Sequence, residues 1–194
     1  MKREAAIEIL GKGYEYSSAD SDNLIKELKL PLNAKILDVG TGGGSCAITI
    51  ALNGYKVISG EPENDNSVYA KRAWLKTAEK VNVENLIDFQ YFDAINLPFD
   101  DKTFNAIFCQ GTLHHVPEEL RIQVFKEFFR ATSEDAVICM LEPNNEMLAK
   151  VKAKEPDHPD AANPELYIEN IFFLSKKIEG KFFNSYILKK RKNA

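Results

Sequence analysis

Three acidic residues stand at the ends of apolar runs. Asp38 closes the first run, and Glu61 and Asp93 follow the runs 55–60 and 86–92. Runs of this length predict buried strands of a parallel sheet, whose carboxyl ends meet at one edge. Carboxylates form strong hydrogen bonds with hydroxyl and ammonium donors. The sequence therefore predicts a ligand site along that edge.

A glycine-rich turn follows the first of these runs. Four of the five residues 40–44 are glycine, and an apolar helix is predicted over 45–52. A chain uses glycine in this way where the backbone needs a positive φ or must lie against a ligand. Strand, glycine turn and helix together predict the nucleotide-binding start of a doubly wound sheet.

A dinucleotide fold is one interpretation of this turn. It requires the spacing G-x-G-x-x-G, with a pyrophosphate bound at the helix N-terminus. Here Ser45 stands in place of the third glycine. The carboxylate of Asp38 would also repel a pyrophosphate, whereas it suits an ammonium group. An NAD(P)-dependent oxidoreductase is therefore the less favoured alternative.

The pattern Asp38-x-Gly40-x-Gly42-x-Gly44 resembles motif I of the class I S-adenosylmethionine-dependent methyltransferases. The resemblance covers about residues 34–143. Within it, 93–99 is similar to the family's Asp-Ala-x-x-Leu-Pro-Phe, and 104–107 is similar to Phe-Asp-x-Ile with Asn for Asp. The resemblance implies that S-adenosyl-L-methionine is the cofactor. It also implies transfer of a methyl group to an acceptor, which we expect to be a small molecule because no added recognition domain is evident.

The resemblance assigns cofactor contacts residue by residue. Asp38 would favour the amino group of the cofactor, Glu61 would accept from both ribose hydroxyls, and Asp93 would accept from the adenine amino group. The family often has Asp at this position, with a glycine two residues earlier, whereas here Gly60 directly precedes Glu61. Glu63 is therefore the alternative to Glu61. The complete predicted set is Asp38, Gly40, Thr41, Gly42, Glu61, Asp93, Ala94 and Gln110.

Candidates for a catalytic role are weaker. His114 and His115 follow the fourth predicted strand, and a histidine near the methyl group is able to act as a base or to orient a nucleophile. An adjacent pair is expected to point its two rings in different directions. Tyr14 precedes the core, where many relatives have a mobile lid. No His, Cys and Asp residues have metal-ligand spacing, so no metal is expected.

Strands and helices alternate along most of the chain. Strands are predicted near 34–39, 55–60, 86–92, 104–109 and 136–141, with helices over 1–10, 22–29, 45–52, 64–80 and 117–132 and a loop over 11–18. In the helix 64–80, the candidate buried residues are Val68, Ala73, Trp74 and Ala78. The alternation predicts an α/β fold, doubly wound, with helices on both faces of a mostly parallel sheet. The resemblance implies seven strands, of which the last two form an antiparallel hairpin.

One domain is expected over 1–194, an ordinary size for a single core. Residues 1–30 would form N-terminal helices or a lid, 34–143 the cofactor-binding core, and 144–194 a connector and the hairpin.

Composition narrows the class of protein. The net charge is −4 and the only basic run is 189–192, so nucleic acid is not an expected partner. No run approaches membrane-spanning length and no signal peptide is evident, so a cytoplasmic protein is expected. Cys46, Cys109 and Cys139 are predicted to be reduced core residues.

The alternative to an enzyme is an inactive module that binds S-adenosylmethionine or S-adenosylhomocysteine. The oligomeric state does not follow from the sequence.

Overall fold

The computed structural model describes residues 1–65, 67, 69, 70, 73–168 and 170–192. The helices are α1 (Arg3–Leu10), α2 (Lys12–Leu28), α3 (Ser45–Leu52), α4 (Trp74–Glu79), α5 (Arg121–Ala131) and α6 (Asn145–Lys152). The strands are β1 (Ile36–Val39), β2 (Val57–Glu61), β3 (Ile87–Tyr91), β4 (Phe104–Gln110), β5 (Thr132–Pro143), β6 (Phe172–Ile178) and β7 (Phe183–Lys190).

The seven strands form one sheet in the order β3-β2-β1-β4-β5-β7-β6. The first five are parallel, and β7 runs antiparallel to both β5 and β6. The chain order reverses between β1 and β4, which is the switch point where open α/β sheets bind ligands. The predicted α/β class, the doubly wound sheet and its C-terminal antiparallel hairpin are confirmed.

Both faces of the sheet are covered. Side chains alternate along β1, so Ile36 belongs to the apolar cluster on one face and Leu37 to the cluster on the other. The first cluster includes residues of α1, α2 and α3. The second includes Phe125 and Phe128 of α5. The sheet is therefore packed on both of its faces.

The N-terminal segment differs from the prediction. The predicted loop 11–18 and helix 22–29 are one helix, α2, which begins at Lys12. Gly13 lies in its first turn, and Tyr14, Ser18 and Ser21 lie on its buried side against the core. The glycines and hydroxyl residues suggested a loop, but packing against α3 outweighs their low helix propensity.

Among the described residues of the predicted helix 64–80, only Trp74–Glu79 is helical, so the prediction is wrong at the described positions of its first half. Upstream, the Asp65 carboxylate accepts from the Ser67 amide at 2.7 Å, and the Ser67 hydroxyl accepts from the Ala70 amide at 3.3 Å. Side-chain hydrogen bonds of this kind compete with helix formation. Ala78 is buried and Trp74 half-buried as predicted, Ala73 is exposed, and Val68 lies outside the described residues.

The connector after β5 contains a helix that the sequence did not suggest. Asn144 caps α6 by accepting from the Met147 amide at 2.9 Å. Irregular backbone follows from about residue 153 and contains Pro156 and Pro159. Among the described residues, no helix is long and apolar enough to cross a membrane.

Candidate functional site

The glycine turn leaves β1 at the carboxyl edge of the sheet. Gly40 has φ 91° and Gly42 has φ 47°, a backbone region that favours glycine. A Cβ on Gly40 would overlap the side chain of Thr112, which follows β4. The turn therefore needs glycine at position 40 to approach the loop after β4.

Asp38 lies beneath this turn and is only 1% exposed. Its Oδ2 accepts from the Ser59 hydroxyl at 2.7 Å, and Ser59 Oγ lies 2.7 Å from Thr41 Oγ1. The other oxygen, Oδ1, is buried without a hydrogen-bond partner among the described residues. Burial raises the pKa of Asp38 to about 6, against smaller opposite effects of Ser59 and Cys46. A ligand that brings a positive charge near this carboxylate would stabilise its ionised form.

Gln110, the last residue of β4, leaves a second buried acceptor at the same edge. Its Nε2 donates to the Ser17 carbonyl of α2 at 2.6 Å. This bond fixes the orientation of the amide, so Oε1 is the atom left without a partner among the described residues. Unpaired buried acceptors are costly, so a donor at either oxygen, from a ligand or from an ordered water, would stabilise this edge of the sheet.

Glu61 ends β2 beside the glycine turn. It is 5% exposed, and its Oε2 accepts from the Gly42 amide at 3.0 Å. Glu63, two residues further on, is exposed. A Cβ on Gly60 would overlap the Gln90 carbonyl and the Phe92 ring, so β2 packs tightly against the neighbouring segment immediately before Glu61.

A cavity of about 590 Å³ opens between these segments. Six of the eight predicted cofactor residues line it: Gly40, Thr41, Gly42, Glu61, Asp93 and Gln110. Asp38 and Ala94 are not among its lining residues. Its volume lies within the range of small-molecule sites.

A larger depression of about 990 Å³ lies at the opposite edge of the sheet. It is lined by residues that precede the strands, including Asn33, Lys35 and Lys56. Ligands of open α/β sheets bind outside the carboxyl ends of the strands, so the smaller cavity is the candidate site.

Asp93 and Ala94 follow β3 in a tight turn. Asp93 is exposed, and its Oδ1 accepts from the Ile95 amide at 3.1 Å. Ala94 is buried. The carboxylate thus shapes its own turn while it also lines the cavity.

Tyr14 does not line the cavity. It is buried, and its hydroxyl lies 3.0 Å from Thr49 Oγ1 on α3. The tyrosine joins α2 to the core, and its predicted contact with cofactor or substrate has no support in this position.

The two adjacent histidines have different environments. His114 is buried, and its Nδ1 lies 2.7 Å from Glu142 Oε2 at the end of β5. His115 is exposed and lines the cavity. Loss of hydration, with smaller effects of His114 and His158, lowers the pKa of His115 to about 4, so its ring is neutral at pH 7.

The rings do not diverge as expected, because Leu113–His115 is a 3-10 turn that brings them side by side. Their centroids are 4.3 Å apart, and the His158 ring lies 5.1 Å from each. This cluster was not predicted from the sequence, because His158 lies far along the chain in the proline-containing connector.

Comparison with known proteins identifies the family. A model of the methyltransferase domain matches residues 37–140, which is more than half of the chain. The chain belongs to the methyltransferase-domain family. Its fold is the class I fold of S-adenosylmethionine-dependent methyltransferases.

A relative matches this methyltransferase-domain chain over about half of the chain's length. The 27-O-demethylrifamycin SV methyltransferase of Amycolatopsis mediterranei is 28% identical over 102 residues, which cover 53% of this chain and 36% of that protein. The chain spans about a third of the length of that relative.

Two solved structures show the same fold over most of the chain. The PH0226 protein of Pyrococcus horikoshii aligns with a TM-score of 0.69 and 19% identity, over 97% of this chain and 91% of that one. An S-adenosylmethionine-dependent methyltransferase of Methanosarcina mazei aligns with a TM-score of 0.59 and 19% identity, over 86% and 96%. At these identities the likeness is one of fold.

Proposed function

We propose that this chain binds S-adenosyl-L-methionine in the carboxyl-edge cavity and transfers its methyl group to a small-molecule acceptor. The observation that carries the proposal is the set of acceptors around the glycine turn. Asp38 Oδ1 and Gln110 Oε1 are buried without partners among the described residues, and the Glu61 carboxylate lies beside Gly42. An amino acid ammonium group and a ribose diol are the donors that such a set accepts.

The residues fit the cofactor by type and position. Gln110 lines the cavity and would hold the methionine amino group, Asp38 beneath the turn would favour the charge of that group, and Glu61 would hold the ribose hydroxyls. Asp93 lines the same cavity and would accept from the adenine amino group. Because Glu61 is buried and Glu63 is exposed, Glu61 is the better candidate for the ribose.

When bound, the cofactor supplies a methyl group that is already activated on a sulfonium ion. The protein then has to orient the acceptor and exclude water. The loop after β4 has this position, because Gly111, Thr112 and His115 line the cavity. The neutral His115 ring is able to accept a hydrogen bond from an acceptor and so to orient it.

The volume of the cavity and the name of a relative both support a small-molecule acceptor. The cavity measures about 590 Å³, and part of it remains for an acceptor beside the cofactor. The relative from Amycolatopsis mediterranei is named for a small molecule, 27-O-demethylrifamycin SV.

Calorimetric titration of the full chain with S-adenosylhomocysteine tests the cofactor, with NAD⁺ and NADP⁺ as matched nucleotides. We expect one S-adenosylhomocysteine per chain and a raised melting temperature, because the ligand binds only the folded protein. Binding of NAD⁺ or NADP⁺ without S-adenosylhomocysteine would reject the proposal.

Turnover needs a separate measurement. Incubation with methyl-labelled S-adenosylmethionine and a panel of alcohols, phenols, thiols and amines should give label in at least one product. Tight binding with no labelled product across the panel would favour the inactive binding module.

A further inference from the structure

The chain contains three histidines, and the fold brings all three together. His114 and His115 lie in the turn after β4, and His158 lies in the connector between α6 and β6. One ring nitrogen from each lies within 4.8 Å of the other two. The cluster therefore joins segments that are distant in sequence at a single point beside the candidate site.

The hydrogen bonds of the two buried histidines define which nitrogen is available. His158 Nδ1 lies 2.9 Å from the Pro159 carbonyl, which only accepts, so Nδ1 carries the proton and Nε2 of a neutral ring has the free lone pair. His114 Nδ1 faces the Glu142 carboxylate. An ionised carboxylate also only accepts, so in a neutral His114 ring Nδ1 carries the proton and Nε2 has the lone pair. Both rings thus have the tautomer in which Nε2 is the ligand atom.

From this arrangement we propose that His114, His115 and His158 bind a divalent transition-metal ion of the zinc class. Imidazole nitrogen suits such ions, and three histidines with one open position form a common catalytic zinc site. A tetrahedral ion with bonds of about 2.05 Å holds its ligand nitrogens about 3.4 Å apart and the imidazole centroids about 5 Å apart. The observed centroid distances are 4.3, 5.1 and 5.1 Å. The exposed His115 ring needs to rotate to bring its nitrogen into place.

Glu142 has the position of an outer-shell partner. It is 1% exposed, and its Oε2 accepts from His114 Nδ1 at 2.7 Å and from the Ala162 amide at 3.0 Å. Metal-binding histidines usually donate their second nitrogen to a carboxylate or a carbonyl, which fixes the ring. Glu142 does this for His114 and also holds the connector that carries His158. It is a positioning residue.

The cluster is reachable from solvent. His115 lines the main cavity, and a smaller one of about 430 Å³ shares Ser67, Tyr69 and His115 with it and is also lined by His158. An ion here would face the space that we assign to the acceptor, and that assignment rests on the proposed function. It would bind an anionic oxygen or sulfur of the acceptor and lower the pKa of that group.

Zinc titration of the full chain without a histidine tag tests the site directly. Followed by calorimetry, with cobalt absorption as a second probe, the wild type should bind one ion per chain. His115→Ala should weaken zinc binding by at least about 100-fold, because it removes one of three ligands. Glu142→Gln should weaken binding by about 10- to 100-fold with the stoichiometry unchanged.

Asp160→Asn is the matched control, because Asp160 lies in the same connector, is exposed and is paired with Lys152. It should leave zinc affinity unchanged. His115 is exposed, so His115→Ala should keep its fold by circular dichroism, which keeps the test valid if a His158 variant unfolds. A wild type that binds no zinc at micromolar concentration, or a His115→Ala variant that binds as tightly as the wild type, would overturn the metal site.

The zinc measurement is made without cofactor, so it separates the two proposals. Zinc binding without S-adenosylhomocysteine binding would retain the metal site and reject the proposed function. The reverse result would reject the metal site alone.

Discussion

The buried carboxylate of Asp38 lowers the stability of the folded protein at neutral pH, and the same negative charge favours binding of an ammonium group. Burial raises its pKa from 3.8 to about 6, so the folded chain retains a proton that the unfolded chain releases over this range. The contribution of this group to stability is therefore present below about pH 4 and is lost as the pH rises through 6. Two pKa units correspond to about 3 kcal/mol.

Asp38→Asn should remove this dependence, because the amide is neutral and keeps an acceptor for Ser59. Urea unfolding should show a variant that is more stable than the wild type at pH 7, by up to about 3 kcal/mol, and similar to it near pH 4. The same variant should bind S-adenosylhomocysteine more weakly at pH 7, because the ammonium loses a carboxylate. Parallel stability profiles for the two proteins would show that Asp38 is ionised in both states.

Glu61 is the residue on which the ribose contact depends. Glu61→Ala should weaken S-adenosylhomocysteine binding by roughly 2–4 kcal/mol, or about 30- to 1000-fold, because two charge-assisted bonds are lost. Glu61→Gln should lie between the alanine variant and the wild type, since it keeps the shape and one acceptor.

Glu63→Ala is the matched control for this prediction. Glu63 is exposed two residues further along the chain, so its removal should change the dissociation constant little. A larger effect at Glu63 than at Glu61 in calorimetric titration would transfer the ribose contact to Glu63.

Residues at strand ends were predictable, and those brought in by loops were not. Glu61 and Asp93 follow apolar runs, and the edge of a parallel sheet brings such positions together whatever the loops do. The contact of His158 with His114 depends instead on the path of an irregular connector. No periodicity encodes that path, because backbone of this kind is positioned by its tertiary contacts.

At the scale of elements, Asp20 joins the first part of the fold to the last. From α2 its carboxylate accepts from the amides of Lys181, Phe182 and Phe183 at 2.8–2.9 Å. A Cβ on Gly180 would overlap this carboxylate and the Phe183 carbonyl. The turn between β6 and β7 is therefore built around a side chain of α2.

Asp20→Ala should destabilise the protein by about 2–4 kcal/mol, because buried amides lose a charged acceptor. Asp20→Asn keeps one acceptor oxygen and should cost less. Urea unfolding measures both, and the exposed surface variant Asp160→Asn should change stability by less than about 1 kcal/mol. An Asp20→Ala variant as stable as that control would show that water replaces the carboxylate.

Helix bounds followed the prediction most closely where the buried pattern is apolar, as in α3, which spans the predicted 45–52. The prediction began α5 at residue 117, but a 3-10 turn occupies Glu118–Leu120 and the helix begins at Arg121. In α2 the pattern is carried by small and hydroxyl side chains such as Ser18 and Ser21, which propensity assigns to loops. Burial against α3 makes that segment helical, and contacts with another helix cannot be predicted from the sequence of one segment alone.

At the scale of the whole molecule, the two edges of the sheet should respond differently to ligand. Hydrogen–deuterium exchange with and without S-adenosylhomocysteine should show protection in 40–45, 61–65 and 110–116, which contain lining residues of the carboxyl-edge cavity. Peptides covering 32–36 and 84–88, which line the larger depression, should be unchanged. Protection confined to the second group would move the ligand to the opposite edge.

The place of β7 inside the sheet has a consequence for synthesis on the ribosome. β7 pairs with β5 on one side and with β6 on the other, although it follows both in the chain. As translation proceeds, the emerged β5 presents an open edge until residues 183–190 leave the exit tunnel. Nascent chains arrested before β7 emerges should be cleaved readily by protease, and chains arrested after it should resist. The sheet thus closes late, and the interval in which β5 could pair with a neighbouring nascent chain is set by the speed of translation.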